Sequence, residues 1–466
     1  MVFDHPNRQG LSPKDIERTR RGKVVQESDF DVITMDTPLP SNWRSFISVR
    51  QHKRLLINFI SVQFLLLANR FFPNGECLFI TAGGFDDEFS DQARCAFNNS
   101  TAEYIGTSGD HEEADTRVWL HAISSSATHI IIYSPDTDIY IIGLPLIKTT
   151  NKVVFVQLKD TSYEKCFLHM NQFVFSLKTD ICFQGIQNIE ECIQLVYILS
   201  GCDYVSYFKG FGKRTFFDVF RKHAAFITGS SDIGCLFDIN TERGLYSFYR
   251  LIAAVYFSKH CSAFQPITSP KALLDSLHFE DNHTKHTALI SEIREKLWER
   301  IQSEIEIIPN AEALKLHWMR CCWVYTFWSQ AYTNVLDLPP LTDYGWEISD
   351  NKLKFVWDTD ANFHKQEQTV NWYNKGCAYK TGCLTNRCSC RKSLSGTCGP
   401  GCKCTNCSNL IDLVVDQNDS IDQDISFVDP ETDDCDMDGI DADDLDAAVY
   451  EADILSYWET MNEIDF

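Results

Sequence analysis

The apolar positions of the chain form short runs that predict strands and longer periodic runs that predict helices. The runs "HIIIYS" (129–134), "KVVFVQL" (152–158) and "LFITAGG" (78–84) are short and mostly apolar, the first two rich in β-branched residues, as in strands buried in a parallel sheet. Helical spacing predicts helices over 112–124, 189–200, 213–223, 243–257 and 285–306. Strands that alternate with helices indicate an α/β sandwich around a parallel sheet.

Three further stretches complete this outline. The segment "LLINFISVQFLLLA" (55–68) is too short to span a bilayer and is interrupted by polar residues, so we expect a buried helix and no membrane partner. The region 261–345 is helical and rich in tryptophan, and 346–376 has the pattern of an irregular connector.

Charge is distributed unevenly along the 466 residues, whose net charge is −23. Residues 410–466 carry 20 Asp and Glu and no Lys or Arg, and removing them leaves 45 acidic against 42 basic residues. We therefore expect a disordered acidic tail that contacts basic surfaces of its own chain or a basic protein partner. The rest is nearly neutral, and with 44% hydrophobic residues in the whole chain it can bury a core.

The cysteines are concentrated near the C-terminus, where eight of the 19 lie within 377–407. No signal peptide precedes them, so a reducing intracellular compartment and metal binding are favoured over disulfides. Their segment has no apolar core, and only cross-linking by Zn²⁺ can fold it. The zinc ligands predicted on this basis are Cys377, Cys383, Cys388, Cys390, Cys398, Cys402, Cys404 and Cys407.

This cysteine-rich segment is also basic, with six Lys and Arg over 375–403 and no acidic residue from 368 to 411. A basic zinc module suits a nucleic-acid backbone, and Arg387, Arg391 and Lys392 are the predicted contacts. The spacing resembles the CXC domain of tesmin-like proteins, which implies a shared zinc cluster and DNA binding. Tyr379 stands where that family has a further cysteine, which leaves the number of zinc ions open.

Acidic residues follow the predicted strand at 129–134 in the sequence "SPDTDIYIIG" (134–143). Ligands of open α/β sheets bind at the carboxyl ends of strands, and oxygen ligands suit Mg²⁺. Asp136 and Asp138 are therefore candidate metal ligands, although residues of this type also form ordinary turns.

A second acidic group opens the predicted helix at 112–124. Glu113 and Asp115 are candidate ligands, but Asp110 and Glu113 also have the spacing of a capping box. Because residues two apart do not share a helix face, both could approach one metal only if one binds it through water.

Two other segments carry candidate chemistry. In "GCDYVSYFKGFGK" (201–213), Asp203 precedes a glycine-containing turn that opens a helix. Such a turn suits a DNA phosphate, although it could be an ordinary corner between helices. At the N-terminus, Asp4 precedes a basic helix that contains Lys14 and ends near Arg21. The DNA contacts predicted at the turn are Gly210, Gly212, Lys213 and Arg214.

Together, "VFDHPN", Glu113-Ala-Asp115, Asp136-Thr-Asp138 and "GCDYVSYFKGFGK" resemble, in the same order, four motifs of the flap-endonuclease family within the PIN-like superfold. The resemblance covers about residues 1–225 and implies a three-layer sandwich with a parallel sheet. It also implies a structure-specific DNA endonuclease with two Mg²⁺ or Mn²⁺ ions, and it places Lys14 and Arg21 at the scissile phosphate. The implied metal ligands are Asp4, Glu113, Asp115, Asp136, Asp138 and Asp203.

The sequence departs from this family in two ways. The family's first strand has no counterpart, because the chain begins inside what would be the second strand, and Asp115 replaces a longer carboxylate. We therefore expect a nuclease domain impaired by truncation. The alternative is a non-catalytic, chromatin-associated DNA-binding protein with a decayed nuclease fold. An origin of the chain from a mobile element is open under this alternative. Convergence of the carboxylates around an empty space would favour catalysis.

These expectations divide the chain into five parts and place it in the nucleus. The parts are a nuclease domain (1–260), a helical extension (261–345), a connector (346–376), a zinc module (377–409) and the acidic tail (410–466).

Overall fold

The computed structural model describes most of the first 358 residues and a few positions of the cysteine-rich segment. The described residues are 1–5, 11–20, 32–38, 40–72, 77–85, 89–97, 100–134, 136–160, 165–229, 242–298, 307–358, 377, 383, 388, 391, 398 and 402–404. The predicted tail, and with it the expected disorder, lies outside them.

The chain divides into two compact units. The first comprises residues 1–259, 266–290 and 309–357, and the second comprises 260–265, 291–308 and 358–466, which include the cysteine-rich segment.

The helices occupy the positions that the apolar spacing predicts, with several additions. They are α1 (Pro13–Arg20), α2 (Trp43–Ser48), α3 (Arg50–Phe71), α4 (Ala114–Ser124), α5 (Thr137–Gly143), α6 (Met170–Thr179), α7 (Ile189–Leu199), α8 (Lys213–Thr228), α9 (Glu242–Lys259), α10 (Pro270–Ser276), α11 (Asn282–Trp298) and α12 (Ala311–Ser329).

The strands form two three-stranded sheets and a hairpin. They are β1 (Phe79–Ala82), β2 (Ala93–Phe97), β3 (Ser100–Glu103), β4 (His129–Ile132), β5 (Val153–Asp160), β6 (Lys165–His169), β7 (Trp346–Ser349) and β8 (Lys352–Phe355). The sheet orders are β1-β2-β3 and β4-β5-β6, with β7 paired to β8.

The mixed α/β class is confirmed, but the expected single parallel sheet is wrong for the described strands. Among them only β4 and β5 form a parallel pair. The connection between these two strands contains α5 and is long enough to bring the chain back, so that β5 runs in the same direction as β4. The connections from β1 to β2 and from β5 to β6 are short, and short connections give antiparallel pairs. The N-terminal residues add a parallel bridge between Val2 and Ala82 at the edge of the first sheet.

Helix α3 is not the buried helix that its composition suggests. Only a narrow stripe that includes Ser61, Leu65 and Ala68 is buried, where the helix contacts β1 and β2. Leu66 and Phe71 are 55% and 67% exposed. The stretch Gln51–Phe71 is long and apolar enough to cross a membrane by length and composition, whereas the apolar run 55–68 was expected to be too short to do so. One helix of this kind is weak evidence for a membrane protein.

Close packing of α4, α5 and α7 positions the acidic residues. The indole of Trp119 on α4 lies against Gly143 on α5, where an added Cβ would come within 1.8 Å of the ring, and its Nε1 donates to the Ile139 carbonyl at 2.7 Å. Gln194 on α7 donates to the Ile141 carbonyl at 3.0 Å. These contacts hold Asp115, near the start of α4, close to the first turn of α5.

The region predicted as a connector contains regular structure. Residues 346–355 form the β7–β8 hairpin, in which Trp346 is buried and pairs with Phe355. Asp350 and Asn351 form the two-residue turn between these strands. Both adopt positive φ, a conformation that Asn and Asp tolerate better than most residues. The remainder of this region, 359–376, lies outside the described residues.

Candidate metal centres

The start of α4 is organised by a residue from the far N-terminus. The Asp4 carboxylate accepts a hydrogen bond from the Ala114 amide at 3.0 Å, and its other oxygen lies 3.7 Å from the Lys53 ammonium. The expected capping box is therefore wrong. The helix begins at Ala114, the Glu113 side chain makes no capping bond, and Asp110 instead accepts from the Leu336 amide.

Glu112 and Glu113 are both buried, at 3% and 5% exposure. Glu112 accepts a hydrogen bond from the Ser12 hydroxyl at 2.6 Å, which ties the start of α1 to the start of α4. Glu113 accepts a hydrogen bond from the Tyr204 hydroxyl and forms an ion pair with the Lys14 ammonium. Glu113 is thus held in place by two donors from distant parts of the chain.

Lys14 also faces the turn after α7. Its Nζ lies 3.5 Å from Oδ2 of Asp203 and 5.2 Å from the centroid of the Tyr204 ring. Asp203 and Tyr204 form the tip of a small turn closed by a bridge between Cys202 and Val205. An ammonium group therefore occupies the space between two of the predicted metal ligands.

Asp136 and Asp138 lie at the start of α5, after the end of β4. One oxygen of Asp136 accepts from the Asp138 amide at 3.0 Å and caps the helix, so the local turn chemistry accounts for part of its presence. Asp138 accepts a hydrogen bond from the Tyr197 hydroxyl on α7 at 2.5 Å.

Several of these carboxylates lie close enough for their charges to raise one another's pKa. Burial, followed by the charges of Asp136 and Asp138, raises the pKa of Asp115 to about 7, and Asp4 adds to the shift while Lys14 opposes it. Desolvation and the charge of Asp138 also raise the pKa of Asp136. Raised values of this kind are typical of carboxylates that share a site without a bound cation.

A second lysine faces the same group. The Lys213 ammonium lies 3.0 Å from the centroid of the Tyr197 ring. Burial lowers the pKa of Lys213, while the negative charges of Asp138 and Asp203 oppose this shift. If all are ionised, the six predicted carboxylates exceed the nearby ammonium groups of Lys14, Lys53 and Lys213 by three negative charges, so the group attracts cations.

The donor set fits a hard divalent cation, but it does not form a compact cage. In the described ranges, no three carboxylates bring one oxygen each within 4.8 Å of one another. Mg²⁺ keeps several of its waters and needs only one or two direct carboxylates, so a cage of this kind is not required for it. The carboxylates predicted from four separate motifs are thus partly brought together, with lysines between them.

The turn predicted to contact DNA has mixed features. Gly210 has a φ of +81°, and its carbonyl accepts from the Lys259 ammonium at 3.3 Å. Gly212 precedes α8, and Arg214 is exposed and forms an ion pair with Asp218 at 3.7 Å within that helix. Lys213 differs from its neighbours because its ammonium faces the carboxylates. Arg21, the other residue predicted at the phosphate, lies outside the described residues.

The cysteine cluster could hold a metal ion such as zinc. Cys377, Cys383, Cys388 and Cys398 form one group whose sulfur atoms lie within 4.8 Å of one another, and Cys377, Cys398, Cys402 and Cys404 form another. The Sγ of Cys377 lies 3.6 Å from that of Cys383, and the Sγ atoms of Cys388 and Cys398 are 3.7 Å apart. Four thiolates around Zn²⁺ have edges of about 3.8 Å, given Zn–S distances of about 2.3 Å.

Two thiols, those of Cys377 and Cys398, belong to both groups. Arg391 is exposed, whereas Cys390, Cys407, Arg387 and Lys392 lie outside the described residues. The described cysteines form no disulfides.

Two tyrosines of the acidic site could not be found from the sequence. Tyr197 falls within an apolar helical pattern that predicts only core packing, and Tyr204 was noted only as part of the aspartate motif. Each hydroxyl donates to a carboxylate that lies far away in sequence. Comparison of the chain with models of protein families, with curated proteins and with solved structures gives no match.

The raised pKa of Asp115 predicts a specific dependence of stability on pH. The folded state holds this proton more tightly than the unfolded chain, so its contribution is full below about pH 4 and is lost as the pH rises through about 7. In buffer without Mg²⁺ or Mn²⁺, Asp115→Asn should remove this part of the decline in the free energy of unfolding. Urea titrations at several pH values measure it, with exposed Asp350→Asn as the control; parallel curves for wild type and Asp115→Asn would contradict it.

Proposed function

We propose that the chain is a metal-dependent DNA endonuclease whose first part has a PIN-like, flap-endonuclease-like fold. The observation that carries the proposal is the grouping of carboxylates from separate motifs around Lys14 and Lys213. The lysines neutralise only part of the negative charge, and the remaining carboxylates repel one another unless a cation binds. The parallel β4–β5 pair, with the two aspartates beyond the end of β4, is also compatible with such a fold.

Two Mg²⁺ or Mn²⁺ ions would be held by the carboxylates of the cluster, some directly and some through water. The candidate ligands are Asp4, Glu113, Asp115, Asp136, Asp138 and Asp203. Such ions supply a nucleophilic water at neutral pH and stabilise the leaving oxygen of a phosphodiester.

The protein groups around these ligands have separate roles. Tyr204 and Tyr197 hold Glu113 and Asp138 by their hydroxyl groups. The Lys14 ammonium, only 17% exposed, can neutralise charge on a phosphate oxygen that enters between Glu113 and Asp203.

DNA is the proposed partner of both parts of the chain. The Gly210–Arg214 turn offers backbone amides and an exposed guanidinium for a phosphate. The basic cysteine-rich segment, with exposed Arg391, offers a second contact to a nucleic-acid backbone. A DNA substrate and reduced thiols both agree with a nuclear location.

A second candidate is a DNA-binding protein with a decayed, inactive nuclease fold. A mobile-element origin is open under this candidate. The observation that favours it is the lack, among the described residues, of a compact group of three carboxylates. The two candidates differ in one property, since only the first hydrolyses a phosphodiester bond.

The test uses the full-length, zinc-loaded protein on flap, hairpin, duplex and single-stranded DNA. We expect cleavage with Mg²⁺ or Mn²⁺ and none in buffer without divalent cations. Binding measured by fluorescence anisotropy on the same DNAs separates the candidates. Tight binding without cleavage in either metal would favour the inactive protein, and the absence of both binding and cleavage would exclude both.

A further inference from the structure

Tyr197 contacts two groups of the acidic site, although its place in an apolar helical pattern predicts neither contact. Its ring is buried on α7, and its hydroxyl donates to Oδ1 of Asp138, 59 residues earlier in the chain, at 2.5 Å. The Lys213 ammonium lies 3.0 Å from the centroid of the same ring. One aromatic side chain thus joins a metal-ligand candidate to a lysine of the turn after α7.

The contact with Lys213 adds an attraction to a ring that is already held by its burial on α7. A cation over the face of a tyrosine is attractive, and the attraction is larger when both groups are shielded from water. The backbone of α7 is itself attached to α5 by Gln194, which donates to the Ile141 and Ile142 carbonyls. The tyrosine hydroxyl therefore reaches Asp138 from a rigid support.

The hydrogen bond restricts how Asp138 can bind a cation. Because Oδ1 already accepts the phenolic proton, it is the weaker donor to a metal and its orientation is fixed, so coordination through Oδ2 is favoured over coordination by both oxygens. Mg²⁺ requires nearly ideal octahedral geometry with one oxygen from each carboxylate, whereas Ca²⁺ accepts both oxygens of a carboxylate and a larger, variable ligand number. Groups that hold a ligand in place often change metal affinity by about 10- to 100-fold.

We propose that Tyr197 is a positioning residue that limits Asp138 to one-oxygen coordination and so makes the site prefer Mg²⁺ over Ca²⁺. This inference rests on the proposed function, because it assumes that Asp138 binds a divalent cation. A purely structural role of Tyr197 in the core would leave the preference between the two metals unchanged.

The experiment is isothermal titration calorimetry of Mg²⁺ and Ca²⁺ into the full-length, zinc-loaded protein. Weak binding to other acidic residues is removed by subtracting the titration of Asp138→Asn. In Tyr197→Phe we expect the affinity for Mg²⁺ to fall about tenfold relative to that for Ca²⁺. Tyr249→Phe is a matched control, because it removes another largely buried hydroxyl, which donates to the Ala311 carbonyl.

Lys213→Met separates charge from positioning. Removal of a positive charge beside Asp138 and Asp203 should strengthen the binding of both cations by a similar factor and leave their ratio close to that of the wild type. A ratio that moves only in Tyr197→Phe supports the inference. An unchanged ratio in Tyr197→Phe overturns it, even if both affinities fall.

The controls also distinguish this failure from a failure of the proposed function. If the wild type and Asp138→Asn bind both cations equally, Asp138 is not a metal ligand, and the metal site itself is rejected. If they differ while Tyr197→Phe keeps the wild-type ratio, the metal site stands and only the role of Tyr197 is rejected.

Discussion

Asp138→Asn should lower metal-dependent DNA cleavage by about 10²- to 10⁴-fold, because one negative ligand is lost from a site that balances divalent cations. Asp136→Asn should have an effect of the same order. Asparagine is the informative substitution at position 136, since it caps a helix about as well as aspartate and so preserves the start of α5. Cleavage rates under single-turnover conditions, with Mg²⁺ and with Mn²⁺, measure the effect.

The same substitutions should cost little stability. Asp136 and Asp138 repel each other and Asp115 when no cation is bound, so removal of one charge relieves repulsion. Urea unfolding without added Mg²⁺ or Mn²⁺ should show a free energy equal to or above that of the wild type for Asp136→Asn, whereas in Asp138→Asn the loss of the negative charge beside the Lys213 ammonium offsets the relief of repulsion. Exposed Asp350→Asn serves as the control for both measurements. Wild-type cleavage rates in both site variants would reject the catalytic role and favour the inactive DNA-binding protein.

Cys398→Ser should remove more zinc from the protein than Cys404→Ser. Cys398 belongs to both groups of four thiols, whereas Cys404 belongs to one, so loss of Cys398 would weaken metal binding by both groups. The expected effect is large, because structural zinc contributes roughly 10–16 kcal/mol of apparent binding free energy in small zinc domains. Zinc content of the purified full-length variants is measured by mass spectrometry.

The control for the zinc prediction is Cys261→Ser, since Cys261 is exposed and lies outside both thiol groups. It should leave the zinc content unchanged. Equal losses from Cys398→Ser and Cys404→Ser would contradict a role of Cys398 in both groups of thiols.

Much of the fold was predictable where long apolar patterns exist. The β-branched runs gave β4 and β5, and the helical patterns gave α4, α7, α8 and α9. Strand β3 was not predictable, because all four residues of Ser100–Glu103 are exposed and show no alternation. The order of the strands in the sheets was also not predicted. It depends on the connections that place β2 beside β1 and β6 beside β5.

The acidic site was predictable in composition but not in its contacts. The resemblance of four sequence motifs to those of the flap-endonuclease family suggested the six carboxylates as a set. The capping of α4 by Asp4 was not predictable, since the partner lies 110 residues away. The same reason applies to Tyr197, whose hydroxyl meets Asp138 only after α5 and α7 pack together.

The position of Lys14 couples the site to the attachment of the N-terminal segment. Helix α1 is fastened by the Ser12–Glu112 hydrogen bond and by the ion pairs of Lys14 with Glu113 and Asp203. A divalent cation bound to these two carboxylates would deprive the lysine of its partners and leave the hydrogen bond to hold the start of α1. In the proposed nuclease, cation and lysine would therefore compete for the same ligands, and metal binding would release the Lys14 ammonium for contact with a phosphate.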